Sequence, residues 1–168
     1  MAYCTNLAHV NVTAVRTNDD PEQVLGACAE MSDGSAYRYV YYTAVKTAGL
    51  VYLIDAETWE VGEGLTTTNG GTADPARVGV FNSAATAPDS AATNAYGWIC
   101  TLPVSIKISL ASTCAANAPL YTTATSGVID DESSSTILVQ GVKNSTGSAI
   151  TAAASTSCSS TVEMYVTV

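Results

Sequence analysis

Positive charge is scarce in this 168-residue chain, which has six Lys and Arg residues against fifteen Asp and Glu residues and a formal net charge of −9. Proteins that bind nucleic acid neutralise phosphates with clustered Lys and Arg side chains, and the six here are scattered along the chain. An anionic membrane surface also attracts basic clusters. The sequence therefore predicts neither nucleic acid nor a membrane among the partners.

Histidine occurs once, as His9, so a Ser-His-Asp or Cys-His arrangement would have to use a residue near the N-terminus. The chain also lacks GxSxG, HExxH and P-loop patterns. The contiguous acids Asp130, Asp131 and Glu132 do not have the alternating ligands of a calcium loop, and we interpret them as a solvated turn. We predict no catalytic residue, no metal and no cofactor, and hence a protein that is not an enzyme.

Long apolar runs are absent as well, since none approaches the roughly 20 residues that span a bilayer. The first ten residues, MAYCTNLAHV, lack the basic start and apolar core of a signal peptide, so we expect a chain made in the cytoplasm. The five cysteines are an odd number at irregular spacing, without a CxxC pair. We interpret them as mostly buried thiols, with a bridge such as Cys100 to Cys114 as the open alternative.

Short apolar or alternating segments are abundant, and small polar residues, Gly and Pro separate them at intervals of roughly ten residues. Charged residues make up only 12% of the chain, whereas helical surfaces usually need many Lys, Glu and Arg. The predicted fold class is all-β, a compact antiparallel β-sandwich or barrel of jelly-roll type. Strands are predicted at 36–42, 50–54, 77–81, 97–102, 104–110, 119–122, 128–129, 137–142 and 161–168.

Two domains of ordinary size do not fit in this length, so we divide the chain into an N-terminal arm, residues 1–35, and a β-domain, residues 36–168. Within the arm, 18–31 has the start signals of one short helix, because Asp20 can cap it and Pro21 suits the first turn. An extended arm that packs on a neighbour is the alternative. We interpret 60–75 as an exposed loop, and 144–160 as a hairpin loop or surface excursion.

Several apolar side chains are predicted to form an interface. Three tyrosines alternate along the strand at 36–42, and the apolar residues of the arm would allow it to add a strand to a neighbouring sheet. Trp98 is expected in the core, whereas the tryptophan of AETWEVG is expected to be exposed, at an interface or as a sugar platform. The candidate interface residues are Val10, Val12, Val15, Tyr37, Tyr39, Tyr41 and Trp59.

The order of several segments resembles small virion proteins of tailed bacteriophages, the decoration, cement or head-stabilisation proteins. The segments are SDGSAYRYVYYTAVKTAGLVYLID, RVGVFNSAA, AYGWICTLPVSIKISLASTCAANAPLYTTATSGVIDDES, ILVQGV and VEMYVTV, and the clearest elements lie at 96–98, 114–123 and 141–142. The resemblance covers 24–168 and leaves 1–23 unmatched. It implies a compact β-domain with an arm, in a symmetric oligomer on the outside of the phage head, and it carries no catalytic residues.

This resemblance predicts a virion protein located on the capsid surface, with the major capsid protein and further copies of itself as partners. A trimer at a threefold position would match the symmetry of the shell. The alternative is a tail or fibre β-module that binds a host-surface glycan or protein through Trp59 and neighbouring loops. A glycan hydrolase would need two facing carboxylates, and the sequence supplies no such pair.

Overall fold

The computed structural model describes residues 10–70, 76–111, 113–133, 136–146, 149, 154–160 and 163–166. Their regular secondary structure is almost entirely β-strand, which confirms the predicted fold class. No helix in these ranges has the length and apolar character needed to cross a membrane. The elements are β1 (Val15–Arg16), β2 (Cys28–Glu30), β3 (Ala36–Tyr42), β4 (Val51–Ile54), β5 (Val61–Gly64), α1 (Thr67–Gly70), β6 (Ala76–Val80), β7 (Ala95–Leu102), β8 (Ile106–Leu110), β9 (Pro119–Thr122), β10 (Ile129–Asp130), β11 (Leu138–Asn144), β12 (Ala154–Ser159) and β13 (Tyr165–Val166).

Five strands close into a ring that we call the C-terminal barrel, in the order β12, β8, β10, β9, β11 and back to β12. The longest register in it runs antiparallel from Ala154 opposite Leu110 to Cys158 opposite Ile106. Along β8 the alternation predicted from the sequence is present, because Ile106, Ile108 and Leu110 are buried while Lys107 is exposed. Closure leaves these strands with few unpaired edges.

A second ring, which we call the N-terminal barrel, consists of β3, β7, β6, β4 and β5. Adjacent strands pair antiparallel, and an isolated parallel bridge from Tyr41 of β3 to Glu60, the residue before β5, completes the ring. Strand β13 pairs with β11 and β6, so one continuous sheet links the two barrels. The buried interior of the N-terminal barrel contains Val40, Tyr42, Tyr52, Ile54, Val61, Phe81, Ala85, Ala95 and Ile99.

Strands β3 and β7 lie between two hydrophobic cores. On one face Val40 and Tyr42 belong to the interior of the N-terminal barrel. On the other face Tyr37, Tyr39 and Trp98 pack in the larger core that continues into the C-terminal barrel. Strands buried on both faces contain near-continuous apolar and aromatic runs, as YRYVYY and AYGWIC do. The prediction that Trp98 is a core residue is confirmed.

The helix predicted within 18–31 is wrong, because residues 28–30 form β2 and extend the sheet beside β3. Gly26 has a φ of +79°, which no helix accepts, and Ala29 is buried against the sheet. Asp19, which precedes the predicted cap residue Asp20, accepts hydrogen bonds from the backbone N–H groups of Thr93 and Asn94 and thereby attaches this segment to the residues before β7. Strand β1 pairs with β7 of the same chain.

Two predicted loops contain regular structure. The segment 60–75 includes β5 and α1, and residues 71–75 lie outside the described residues. Within 144–160, strand β12 pairs along β8, and Cys158 is fully buried. Ser, Thr and Ala suffice there because a small barrel has little interior volume to fill. Of the strand predicted at 161–168, β13 and the alternation of buried Met164 and Val166 around exposed Tyr165 are described.

The hydroxyl group of Tyr42 has no hydrogen-bond partner among the described residues, although its side chain is completely buried. A buried polar group without a partner costs free energy, so Tyr42→Phe should raise the free energy of unfolding by about 1 kcal/mol. Tyr52→Phe is the matched control, since the Tyr52 oxygen accepts the N–H of Thr47 at 2.7 Å and its loss should destabilise the protein. Urea unfolding measures both, and a destabilised Tyr42→Phe variant would contradict the argument.

Candidate functional site

Trp59 stands in the turn between β4 and β5. The Asp55 carboxylate organises this turn, because its Oδ1 atom accepts the backbone N–H groups of Glu57 and Thr58, each at 2.8 Å. These hydrogen bonds lower the pKa of Asp55 below its ordinary value, the Thr58 N–H having the larger effect. The Trp59 backbone then takes a φ of +62°, which is uncommon for a bulky residue. The turn thus fixes the direction of the indole ring.

An ion-pair group surrounds that ring, and we call it the arginine–tryptophan cluster: Arg38, Trp59, Arg77 and Glu163. Glu163 Oε1 accepts hydrogen bonds from Arg38 Nε at 3.0 Å and from Arg38 Nη2 at 2.7 Å. Arg77 Nη1 lies 3.5 Å from the other oxygen, Oε2. Arg38 is buried, whereas the side chains of Arg77 and Glu163 are 41% and 36% exposed. A shared carboxylate therefore joins a buried and an exposed guanidinium group.

Both guanidinium groups also lie over the Trp59 ring, with the Cζ atoms of Arg38 and Arg77 at 5.7 Å and 5.2 Å from its centroid. Such cation–π contacts stabilise both partners. Gly26 abuts the same ring, since a Cβ atom on it would lie 2.3 Å from the indole Cε2. Trp59, expected to be exposed, is half-buried because these contacts cover it.

An open cleft of about 560 Å³ adjoins the cluster, between the β4–β5 turn and β6. Its apolar lining comes from Leu53, Ile54, Ala56 and Ala76, and its polar lining from Asp55, Glu57, Glu60, Asn69 and Arg77. Glu60 Oε2 accepts the hydroxyl hydrogen of Tyr41 at 3.1 Å. The cleft therefore combines an apolar floor with three carboxylates, and Arg77 connects it to the cluster.

A third group is best placed among the described residues to hold a metal ion: Cys114, Asp130 and Asp131, whose ligand atoms lie within 4.8 Å of one another. Burial raises the pKa of the Cys114 thiol to about 11, and the nearby Asp131 carboxylate adds to that rise. Asp131 Oδ2 accepts the Ala115 N–H, and Asp130 Oδ1 accepts the Asp131 N–H. The thiol is thus protonated at neutral pH, and hydrogen bonds already engage one oxygen of each carboxylate.

The cysteines mostly follow the sequence interpretation. Cys100, Cys114 and Cys158 are free and buried, so the alternative bridge from Cys100 to Cys114 is not formed. Cys28, on the edge strand β2, is disulfide-bonded, so the interpretation of the cysteines as buried thiols is wrong at that position.

Burial also raises the pKa of the Cys100 and Cys158 thiols, to about 12 in each. The thiolate is the nucleophile, so maleimide should modify Cys100, Cys114 and Cys158 only after unfolding in urea. Peptide mapping of the labelled protein measures this. A Val45→Cys variant is the control for accessible thiols, since Val45 is exposed. Rapid labelling of any of the three in the native protein would contradict the prediction.

The candidate interface residues divide into three groups. Tyr37 and Tyr39 are 7% and 2% exposed, so the interface prediction is corrected for both, because β3 lies between two cores instead of at a surface. Val10, Val12 and Val15 are partly buried and pack against the chain's own cores. Tyr41 and Trp59 come together, since the Tyr41 N–H donates to the Trp59 carbonyl at 3.2 Å.

Sequence reasoning missed Arg38, Arg77 and Glu163, since no local pattern links residues so far apart. Of the three features, the cluster pairs its own charges and the Cys114 group is hydrogen-bonded within itself, whereas the cleft presents carboxylates to an open volume.

In comparisons with models of known protein families, with curated proteins and with solved structures, the chain has no match.

Proposed function

We propose that the chain is a structural virion protein, a decoration or cement subunit that binds the outer surface of a phage head and stabilises the shell. The segments that carry the sequence resemblance are framework elements. Residues 96–98 lie in β7, 114–123 lead into and include β9, and 141–142 lie in β11. The resemblance therefore concerns residues that build the sheet.

The arginine–tryptophan cluster is the observation that favours a mechanical role. Arg38 belongs to β3, Arg77 to β6, and Glu163 precedes β13, so the ion pairs join segments that are distant in the chain. Arg38 Nη1 also donates to the Gly26 carbonyl at 3.3 Å and thereby includes the N-terminal segment. Such cross-connections oppose local opening, which a subunit that reinforces a shell must resist.

The proposed partners are the major capsid protein and further copies of this chain, and a trimer is the expected oligomer because it would match a threefold position of the shell. In the alternative function, a tail or fibre module, Trp59 would be the platform on which a glycan stacks. Sugar stacking needs an accessible aromatic face, and the two guanidinium groups and Gly26 engage this ring. These contacts favour the capsid role over the glycan-binding role.

Immunogold electron microscopy of intact virions, with antibody raised against the recombinant protein, tests the proposal. Label spread over the head is the expected result. Antibody absorbed beforehand with the recombinant protein is the control, and it should leave the particles unlabelled. Label confined to the tail or fibres would instead support the alternative function, and particles without label would overturn both.

A further inference from the structure

The cleft beside the β4–β5 turn has more negative charge than its surroundings neutralise. Asp55, Glu57 and Glu60 line it together with a single guanidinium group, that of Arg77, which also pairs with Glu163. No salt bridge between described residues includes any of the three lining carboxylates. Lys46 interacts electrostatically with Glu60, but it is buried and its Nζ atom donates to the Gly62 carbonyl at 2.6 Å.

Several carboxylate oxygens in the cleft remain able to accept hydrogen bonds. The hydrogen bonds of the described residues engage Oδ1 of Asp55 and Oε2 of Glu60, and neither oxygen of Glu57. This leaves Oδ2 of Asp55, Oε1 of Glu60 and both oxygens of Glu57. An anionic ligand would be repelled here, whereas a guanidinium or ammonium group would form charge-assisted hydrogen bonds.

The apolar lining suits the remainder of such a side chain. Leu53, Ile54, Ala56 and Ala76 offer a surface for the methylene groups of an arginine or lysine, whose charged end would reach the carboxylates. Gly62 leaves further room, because a Cβ atom placed on it would meet no atom within 4 Å. A cleft of about 560 Å³ accommodates more than one side chain, which favours a short peptide segment.

We infer that this cleft binds a basic segment of a partner protein, with an arginine or lysine side chain between Asp55, Glu57 and Glu60. The inference adds a contact site and its chemistry to the proposed function but does not depend on it. Any partner that presents such a segment would satisfy the site. Binding by the isolated protein and its location on virions are separate measurements, so either can fail without the other.

The test uses the whole chain labelled with ¹⁵N and titrated with the peptide acetyl-Arg-Ala-Arg-amide at low salt. We expect saturable chemical-shift changes centred on the amides of Ala56, Gly62 and Ala76, all in the cleft lining. The neutral peptide acetyl-Gln-Ala-Gln-amide should leave these amides unchanged. Equal effects of the two peptides, or shifts confined to other parts of the protein, would overturn the inference.

A pair of charge-matched variants separates this site from general attraction to an acidic protein. The double variant Glu57→Gln with Glu60→Gln should weaken binding of the arginine peptide at least about tenfold, since two charge-assisted contacts are lost. Asp20→Asn with Glu30→Gln removes the same charge at exposed positions outside the cleft and should leave the affinity unchanged. Equal weakening of binding by both double variants would show that the peptide is attracted by the overall negative charge of the protein, and it would overturn the inference.

Two further measurements complete the test. Glu57→Gln alone should already weaken binding, and this side chain makes no hydrogen bond in the described structure, so its loss does not threaten the fold. Spermidine, a free polyamine with the same cationic chemistry, serves as the competitor. If spermidine binds the cleft as tightly as the peptide does, the ligand is a free polyamine and the partner-segment inference is overturned.

Discussion

Replacing Arg38 with alanine should lower the free energy of unfolding by about 3 kcal/mol, because it removes a buried side chain together with several hydrogen bonds that join distant segments. The guanidinium group is buried, and Glu163 would lose its two shortest hydrogen bonds. The Gly26 carbonyl would lose a donor, and the Trp59 ring would lose one of its two cations. Urea unfolding followed by circular dichroism measures the change.

Arg77→Ala is the matched control, because it removes the same chemical group from the same cluster. Arg77 is 41% exposed and its closest contact to Glu163 is 3.5 Å, so this variant should cost only about 1 kcal/mol. A double-mutant cycle of Arg38→Ala with Glu163→Gln should show coupling, since the two residues are in direct contact. If the two arginine variants cost the same, the contact between Arg38 and Glu163 is not the main stabilising contact of the cluster.

Substituting Gly26 with alanine should destabilise the protein by about 3 kcal/mol, through two separate effects. Its φ of +79° disfavours any residue with a Cβ atom. In addition, that Cβ atom would lie 2.3 Å from the indole Cε2 of Trp59, so the ring must move away from the guanidinium groups. Urea unfolding gives the loss of stability, and tryptophan fluorescence reports the change around the indole ring.

Gly34→Ala separates the two effects. Gly34 has a similar φ of +87°, but a Cβ atom there would meet only Val104 Cγ2 at 3.6 Å, an ordinary van der Waals distance. This variant should therefore cost about 1 kcal/mol from backbone strain alone. Equal costs for the two glycine variants would show that the indole ring adjusts without penalty.

The all-β fold and most strands could be predicted because the spacing of apolar segments is a local property of the sequence. Strand β8 shows this best, since its alternation is visible in both sequence and structure. Strand β12 was missed because its Ser and Thr residues lack the bulk by which a strand is recognised. Tyr37 and Tyr39 were assigned to a surface because alternation along one strand cannot reveal a second core on its other face.

The functional features were harder to predict, since they depend on tertiary contacts. Arg38 and Glu163 are separated by 125 residues, and only the paths of β3 and β13 bring them together. The cleft is lined by residues of the β4–β5 turn, β5, α1 and β6, and the sequence suggested an exposed loop for 60–75, which contains β5 and α1. Trp59 was expected to be exposed, but it is half-buried because two arginine side chains engage its ring, and no sequence motif indicates these contacts.

The position of β3 and β7 between two cores has a consequence for how the molecule unfolds. These strands separate the interior of the N-terminal barrel from the larger core that continues into the C-terminal barrel, so neither core can be exposed to water while the other stays intact. Calorimetry should therefore record one heat-absorption peak instead of two. A destabilising substitution in either barrel would lower the temperature of that single transition. A subunit built in this way is either folded throughout or not at all.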